Sequence, residues 1–200
     1  MDSEQAHCRQ RHGHHHKGQG PSSYWIVDPD AVFDTLKIQP GERVLDLGCG
    51  AGDYAVRAAG FTGENGIVYA VDHWLPTVDS LKDAAQRMGL TNLEPVKASI
   101  TQTLPFNDND FHLCMVFTVL HIFNLKKQGE KIYKEIRRVL KPGGRLAVIE
   151  CKKEDMPFGP PLQMRLSPED IERPLKGFGF EKAGYTDLGH LYLSQFTLSR

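Results

Sequence analysis

Nine consecutive residues, Val44-Leu45-Asp46-Leu47-Gly48-Cys49-Gly50-Ala51-Gly52, carry the clearest chemistry in this chain. An apolar run ends in a carboxylate and then a glycine-rich turn. Glycine reaches backbone conformations that other residues avoid and has no Cβ, so a ligand can lie directly against such a turn. The helix expected from about Asp53 points its free N–H groups into the same space. A dinucleotide turn reads G-x-G-x-x-G, with a pyrophosphate on the helix N-terminus. Gly48 and Gly50 fit that pattern, but Asp53 stands where the third glycine belongs, and the further glycine comes early, at Gly52.

Carboxylates at Asp46 and Asp53 suit a ligand that carries positive charge and no phosphate. S-adenosylmethionine (SAM), with its sulfonium and amino group, is such a ligand. A second apolar run, Gly66 to Val71, ends in Asp72, 22 residues past Gly50. At the end of the neighbouring strand, that acid can accept hydrogen bonds from two ribose hydroxyls.

These residues need a scaffold. Asp28-Pro29 reads as an N-cap followed by a first-turn proline, opening a helix through about Lys37. Strands are expected over 43–47, 67–71, 93–97, 111–117 and 145–150. Helices are expected over 53–59, 76–88 and 127–140, the last with Ile132, Ile136, Val139 and Leu140 on one stripe. The nearly all-apolar run at 111–117 marks a central strand buried on both faces. Lys141-Pro142-Gly143-Gly144 is expected to end the last helix and turn the chain into the next strand. Ser167-Pro168-Glu169-Asp170 caps a further helix that ends at Gly177, and 180–186 and 191–198 alternate as two strands. Alternating strands and helices imply an α/β fold with a mostly parallel sheet covered on both faces.

In such sheets, ligands sit outside the carboxyl ends of the strands, where strand order reverses. That rule nominates Gly48 to Gly52, Asp72 to Trp74, Ser99 to Thr101, Thr118 to His121 and Glu150 to Lys153. His121 is the best-placed general base, with His73 and Glu150 as alternates; the ordinary reading of each histidine is a hydrogen bond to nearby backbone. The loop from Cys151 to Leu166 is long enough to act as a lid. Its Lys152 and Lys153 would either attract an acidic substrate or simply be solvated. Trp25, His73 and Trp74 are candidates for a pocket wall, since aromatic faces favour a nearby cation. Trp25 would equally serve to pin the segment Tyr24-Trp25-Ile26-Val27 to the core.

Four features in order, V-L-D-L-G-C-G-A-G, the acid Asp72, Leu104-Pro105-Phe106 and Lys141-Pro142-Gly143-Gly144, resemble a class I SAM-dependent methyltransferase. The resemblance spans roughly residues 28 to 198. It is closest to the small ubiquinone/menaquinone-biosynthesis-like (type 11) group. It implies a doubly wound, seven-stranded sheet closed by a C-terminal antiparallel hairpin. The cofactor-binding residues it implies are Asp46, Gly48, Gly50 and Gly52 at the methionine end, Asp72 at the ribose, Ser99, Ile100 and Thr101 about the adenine, and also Cys49, His73 and Phe117. The family usually places an acid after the third strand to bind the adenine amino group. Here Ser99-Ile100-Thr101 lacks it, leaving backbone or the Thr101 hydroxyl to hold the adenine while Ile100 packs on the ring.

Composition fits a single globular domain: 200 residues, 40% hydrophobic, 24% charged. A net charge of −1 lacks the basic footprint of broad nucleic-acid binding. No apolar run reaches the length of a membrane span. The cysteines Cys8, Cys49, Cys114 and Cys151 are scattered, which suits a reduced, cytoplasmic setting. Residues 1–23 are low in apolar content and are read as a flexible arm before a SAM-binding domain at 24–200. Within the arm, His7, Cys8, His12, His14, His15 and His16 would bind a divalent metal adventitiously, their spacing matching no closed metal motif. The reading is a methyltransferase acting on a small-molecule acceptor with no resident metal. Two rivals remain at this point: a nicotinamide (NAD)-dependent oxidoreductase on the same fold, and a non-enzymatic metal-binding module that uses the histidine arm.

Overall fold

The computed structural model describes residues 22–199, so the histidine arm lies outside the described residues. Seven strands form one sheet: β1 Arg43–Leu47, β2 Ile67–Asp72, β3 Leu93–Lys97, β4 Phe111–Phe117, β5 Leu140–Cys151, β6 Phe180–Leu188 and β7 Leu191–Leu198. Their order is β3-β2-β1-β4-β5-β7-β6. Only β7 runs against the rest, antiparallel to both β5 and β6. The doubly wound sheet with a closing hairpin is therefore present, and its strand order reverses between β1 and β4.

Helices α1 Pro29–Leu36, α2 Asp53–Thr62 and α3 Leu75–Arg87 cover one face; α4 Leu125–Val139 and α5 Pro168–Lys176 cover the other. Asp28 caps α1 by accepting from the Asp30 N–H at 2.9 Å, with Pro29 in the first turn. In α4, Ile132, Tyr133, Ile136 and Val139 are buried while lysines, arginines and a glutamate face outward, the stripe that an amphipathic helix needs. Ser167 and Asp170 close a reciprocal capping box at the start of α5. Leu45 and Leu47 join the core under α4 and α5, whereas Val44 joins the core under α1 to α3, as alternation along a strand requires.

Three expectations shift. Helix α2 runs on to Thr62, and α4 starts at Leu125 instead of Lys127. The Lys141-Pro142-Gly143-Gly144 segment is not a turn between helix and strand but an interruption inside β5. Phe111 pairs with Leu140, and Leu113 pairs next with Arg145, so four residues loop out opposite His112. Both sheet edges are blunted: β3 carries Pro95, which has no N–H to offer another strand, and β6 exposes Glu181 and Lys182 at a register break. Among the described residues, no helix is long and apolar enough to cross a membrane.

Removing the α5 cap in Ser167→Ala should cost about 1 kcal/mol of stability, the ordinary worth of such a cap, read as a lower urea midpoint at unchanged slope.

Candidate active site

The glycine turn sits at the reversal point, held by the end of β2. The N–H groups of Gly48 and Cys49 both donate to the Val71 carbonyl, at 2.8 and 2.9 Å. The next N–H, on Gly50, donates to Asp72 Oδ2 at 3.1 Å. Two of the glycines could not be other residues. Gly48 and Gly52 have φ of +85° and +84°, and a Cβ on them would stand 2.5 Å from Val119 and 2.4 Å from Leu81. At Gly50, by contrast, a Cβ would meet nothing within 4 Å, so the turn opens there onto free space.

Asp46 lies on β1 two residues before the turn, within electrostatic reach of Asp72 and Asp53. It is 2% exposed, and its Oδ2 accepts no hydrogen bond. Burial, with the charges of Asp72 and Asp53, pushes its carboxyl up from an ordinary 3.8 to about 7. A buried oxygen without a partner is costly, and a cationic ligand relieves that cost in a way a phosphate would not. The donor set and the open turn thus fit SAM. Burial, and then the charges of Asp46 and Asp72, also push the Cys49 thiol well up, leaving it neutral and not a nucleophile.

Asp72 itself is nearly buried and braced: Oδ2 by Gly50 N–H and Oδ1 by Trp74 N–H at 2.9 Å. His73 stands at the rim, its side chain 75% exposed, with Nδ1 3.3 Å from Asp72. After β3, the hydroxyls of Ser99 and Thr101 hydrogen-bond each other at 3.0 Å, while the Ile100 side chain is packed into the core with Leu104. Phe117 closes β4 and meets Tyr54 edge-to-face at 4.7 Å. Thr118 then takes a left-handed φ of 54°, an uncommon conformation for a non-glycine residue.

His121 and Glu150 come together. His121 lies in a 3-10 turn, Leu120–Ile122, after β4, and Glu150 near the end of β5. Glu150 is fully buried; its Oε2 is 2.7 Å from His121 Nδ1, and Oε1 accepts from the N–H groups of Leu120 and His121 at 2.8 and 3.3 Å. This corrects the reading of Glu150 as an alternate base, because both of its oxygens are committed to the turn and the ring. His121 remains 12% exposed.

Two further expectations fail. Trp25 is 71% exposed and does not pin the chain. Its neighbours do: Tyr24 packs edge-to-face on Tyr54, and Ser23 Oγ lies 3.2 Å from the Tyr54 hydroxyl. Lys152 and Lys153 are paired with Asp187 and Asp170, so neither is a free cation awaiting an acidic substrate. Sequence reasoning missed Arg165, which organises the 151–166 loop by donating to the carbonyls of Pro160, Phe158 and Glu154. Val119, within the nominated 118–121 segment, and Leu81, on the apolar stripe of α3, have a role the sequence did not reveal: their side chains force glycine at two turn positions. A lone arginine or valine carries no motif, and only the folded contacts find it. A hollow of about 370 Å³ between α3 and β3 lies at the opposite end of the strands. Among the described residues, no group of three or more His, Cys, Asp or Glu could hold a metal ion.

The raised Asp46 pKa has a signed consequence. Between pH 3.8 and about 7 the folded protein keeps a proton that the unfolded chain has released. The stability Asp46 contributes is thus complete below that window and is lost as pH rises through it. Asp46→Asn should remove this loss, gaining in Tm on the wild type between pH 5 and 8 in melting experiments, while binding of S-adenosylhomocysteine, which keeps SAM's amino group, weakens at least about tenfold at pH 8.

A family model described as a methyltransferase domain matches residues 38–175. A ubiquinone/menaquinone biosynthesis C-methyltransferase of Haemophilus ducreyi is 35% identical over 125 residues, 61% of this chain and 46% of the relative. A demethylmenaquinone methyltransferase of Bacillus mycoides is 28% identical over 134 residues, 66% of this chain and 53% of the relative. The chain spans about half the length of these curated relatives. A crystal structure of a SAM-dependent methyltransferase from Aquifex aeolicus superimposes with a TM-score of 0.81 at 28% identity, covering 90% of this chain and 94% of that one. These likenesses lend no support to the nicotinamide reading or the metal-module reading. The chain belongs to the methyltransferase-domain family, and its likenesses lie with SAM-dependent and ubiquinone/menaquinone methyltransferases.

Proposed function

We propose that residues 24–200 transfer a methyl group from SAM to a ring of the quinol type on a small molecule, in the cytoplasm. The observation that carries this reading is the buried, partner-free oxygen of Asp46 two residues before a glycine turn that Asp72 braces at the strand-order reversal. The quinone-linked names of the relatives support the acceptor class, and the free thiols of Cys49, Cys114 and Cys151 support a reducing compartment.

In this reading Asp46, Gly48, Cys49, Gly50, Gly52 and Phe117 hold the methionine end, Asp72 and His73 the ribose, and Ser99, Thr101 and the backbone of Ile100, whose side chain is spent in the core, the adenine. When bound, SAM supplies an electrophilic methyl on sulfur, whose C–S bond breaks with its electron pair left on sulfur. The chain's work is positioning, water exclusion and proton removal. His121 is the group that takes the acceptor's proton. Arg165 holds the path of the 151–166 loop, which leaves the end of β5 and in this reading borders the acceptor.

Calorimetric titration with SAM, S-adenosylhomocysteine and NAD tests the cofactor. The two adenosyl-sulfur ligands should bind and NAD should not. Asp72→Ala should weaken both by about tenfold or more, the worth of a lost charge-assisted hydrogen bond. Tight NAD binding, or no adenosyl ligand binding at all, would sink the proposal.

A further inference from the structure

The carboxylate–imidazole pair carries more than a hydrogen bond. Glu150 comes from β5 and is fully buried. A carboxylate only accepts hydrogen bonds, so the 2.7 Å contact puts the hydrogen on His121 Nδ1. Nε2 then holds a lone pair, and it makes no hydrogen bond among the described residues. The groups around the pair come from four other elements or loops: Tyr133 from α4, Tyr192 from β7, Asp170 from α5 and Arg165 from the loop, with Cys151 next along β5. Burial first, and the charge of Glu150 second, push the Tyr133 phenol up to about 12 and the Tyr192 phenol higher still, so both rings stay neutral. Burial likewise pushes the Cys151 thiol up. Asp170 pairs with Lys153, and the Arg165 guanidinium is spent on loop carbonyls. Among the described residues Glu150 has no lysine or arginine partner. The cation that it can pair with is His121 once protonated.

We propose that Glu150 is a positioning residue: it fixes His121 with Nδ1 protonated, so that Nε2 withdraws the proton of a hydroxyl on the acceptor ring. The inference rests on the methyltransferase reading above and narrows its acceptor to a ring bearing an acidic O–H. The O–H bond breaks as the Nε2–H bond forms, and the electron pair left on oxygen conjugates into the ring carbon that takes the methyl. That carbon then sheds its hydrogen as the hydroxyl re-forms, and one net proton per turnover leaves from Nε2 to water.

Two measurements on the full chain separate this inference from the acceptor reading. The first is ¹⁵N-resolved NMR of the imidazoles without acceptor, with His121 identified by its loss in His121→Gln. Wild-type His121 should carry its proton on Nδ1. In Glu150→Gln the side-chain N–H₂ should face Nδ1 and flip the proton to Nε2. The second is transfer of labelled methyl from SAM to 1,4-dihydroxynaphthalene kept reduced with dithionite. Glu150→Gln should lower kcat by about 10²–10⁴ with the KM for SAM within about twofold of wild type. A wild-type proton on Nε2 overturns the proposal whatever the stability of the variant, and so does a Glu150→Gln variant that keeps both tautomer and rate. If the wild type leaves the probe unmethylated, the ring-acceptor reading fails, and with it the hydroxyl-specific role for Nε2.

Discussion

Everything at the active end hangs on the last two residues of β2. The Val71 carbonyl takes two N–H groups of the glycine turn, and the Asp72 carboxylate takes the third. A glycine-rich segment has many conformations to lose on folding, and these three bonds select one. With the turn fixed, α2 begins at Asp53, Tyr54 meets Phe117, and Asp46 is buried. The same carboxylate that shapes the turn is the one proposed to hold the ribose, so in that reading loop geometry and ligand recognition are one interaction and cannot be tuned separately.

The site is electrostatically lopsided. Asp46, Asp53 and Asp72 crowd one side of the reversal point, and Glu150 is buried on the other. Like charges brought together out of water oppose folding. The fold bears this because the central sheet is long in apolar contacts: β1 and β4 are buried almost end to end. Core packing thus supports a set of carboxylates for which the proposed cationic ligand would be the counter-charge at Asp46.

Much of this was legible in the sequence because the informative residues are local. V-L-D-L-G-C-G-A-G states a strand, an acid and a turn within nine residues, and the apolar run at 111–117 states a buried central strand. What escaped was non-local. The Lys141-Pro142-Gly143-Gly144 segment has the composition of a turn, and only its pairing with β4 turns it into a loop-out within a strand. Trp25 is more apolar than Tyr24 in outline, yet Tyr24 finds the aromatic partner and Trp25 faces water. His121 and Glu150 were separately nominated by strand position, but their mutual roles depend on a distance that no local pattern encodes.

Arg165 has a consequence for how such a domain diversifies. Its guanidinium is buried and grips the 151–166 loop entirely through main-chain carbonyls. Every residue type presents the same carbonyl, so these three grips ask nothing of the side chains at 154, 158 and 160. Other positions are held more tightly: Gly159 has a φ of +84° with Cys151 Sγ 3.1 Å from where a Cβ would stand, and Met156 is buried. Heritable change can therefore concentrate at exposed positions such as Glu154 and Asp155, altering what the loop presents while the arginine keeps its path.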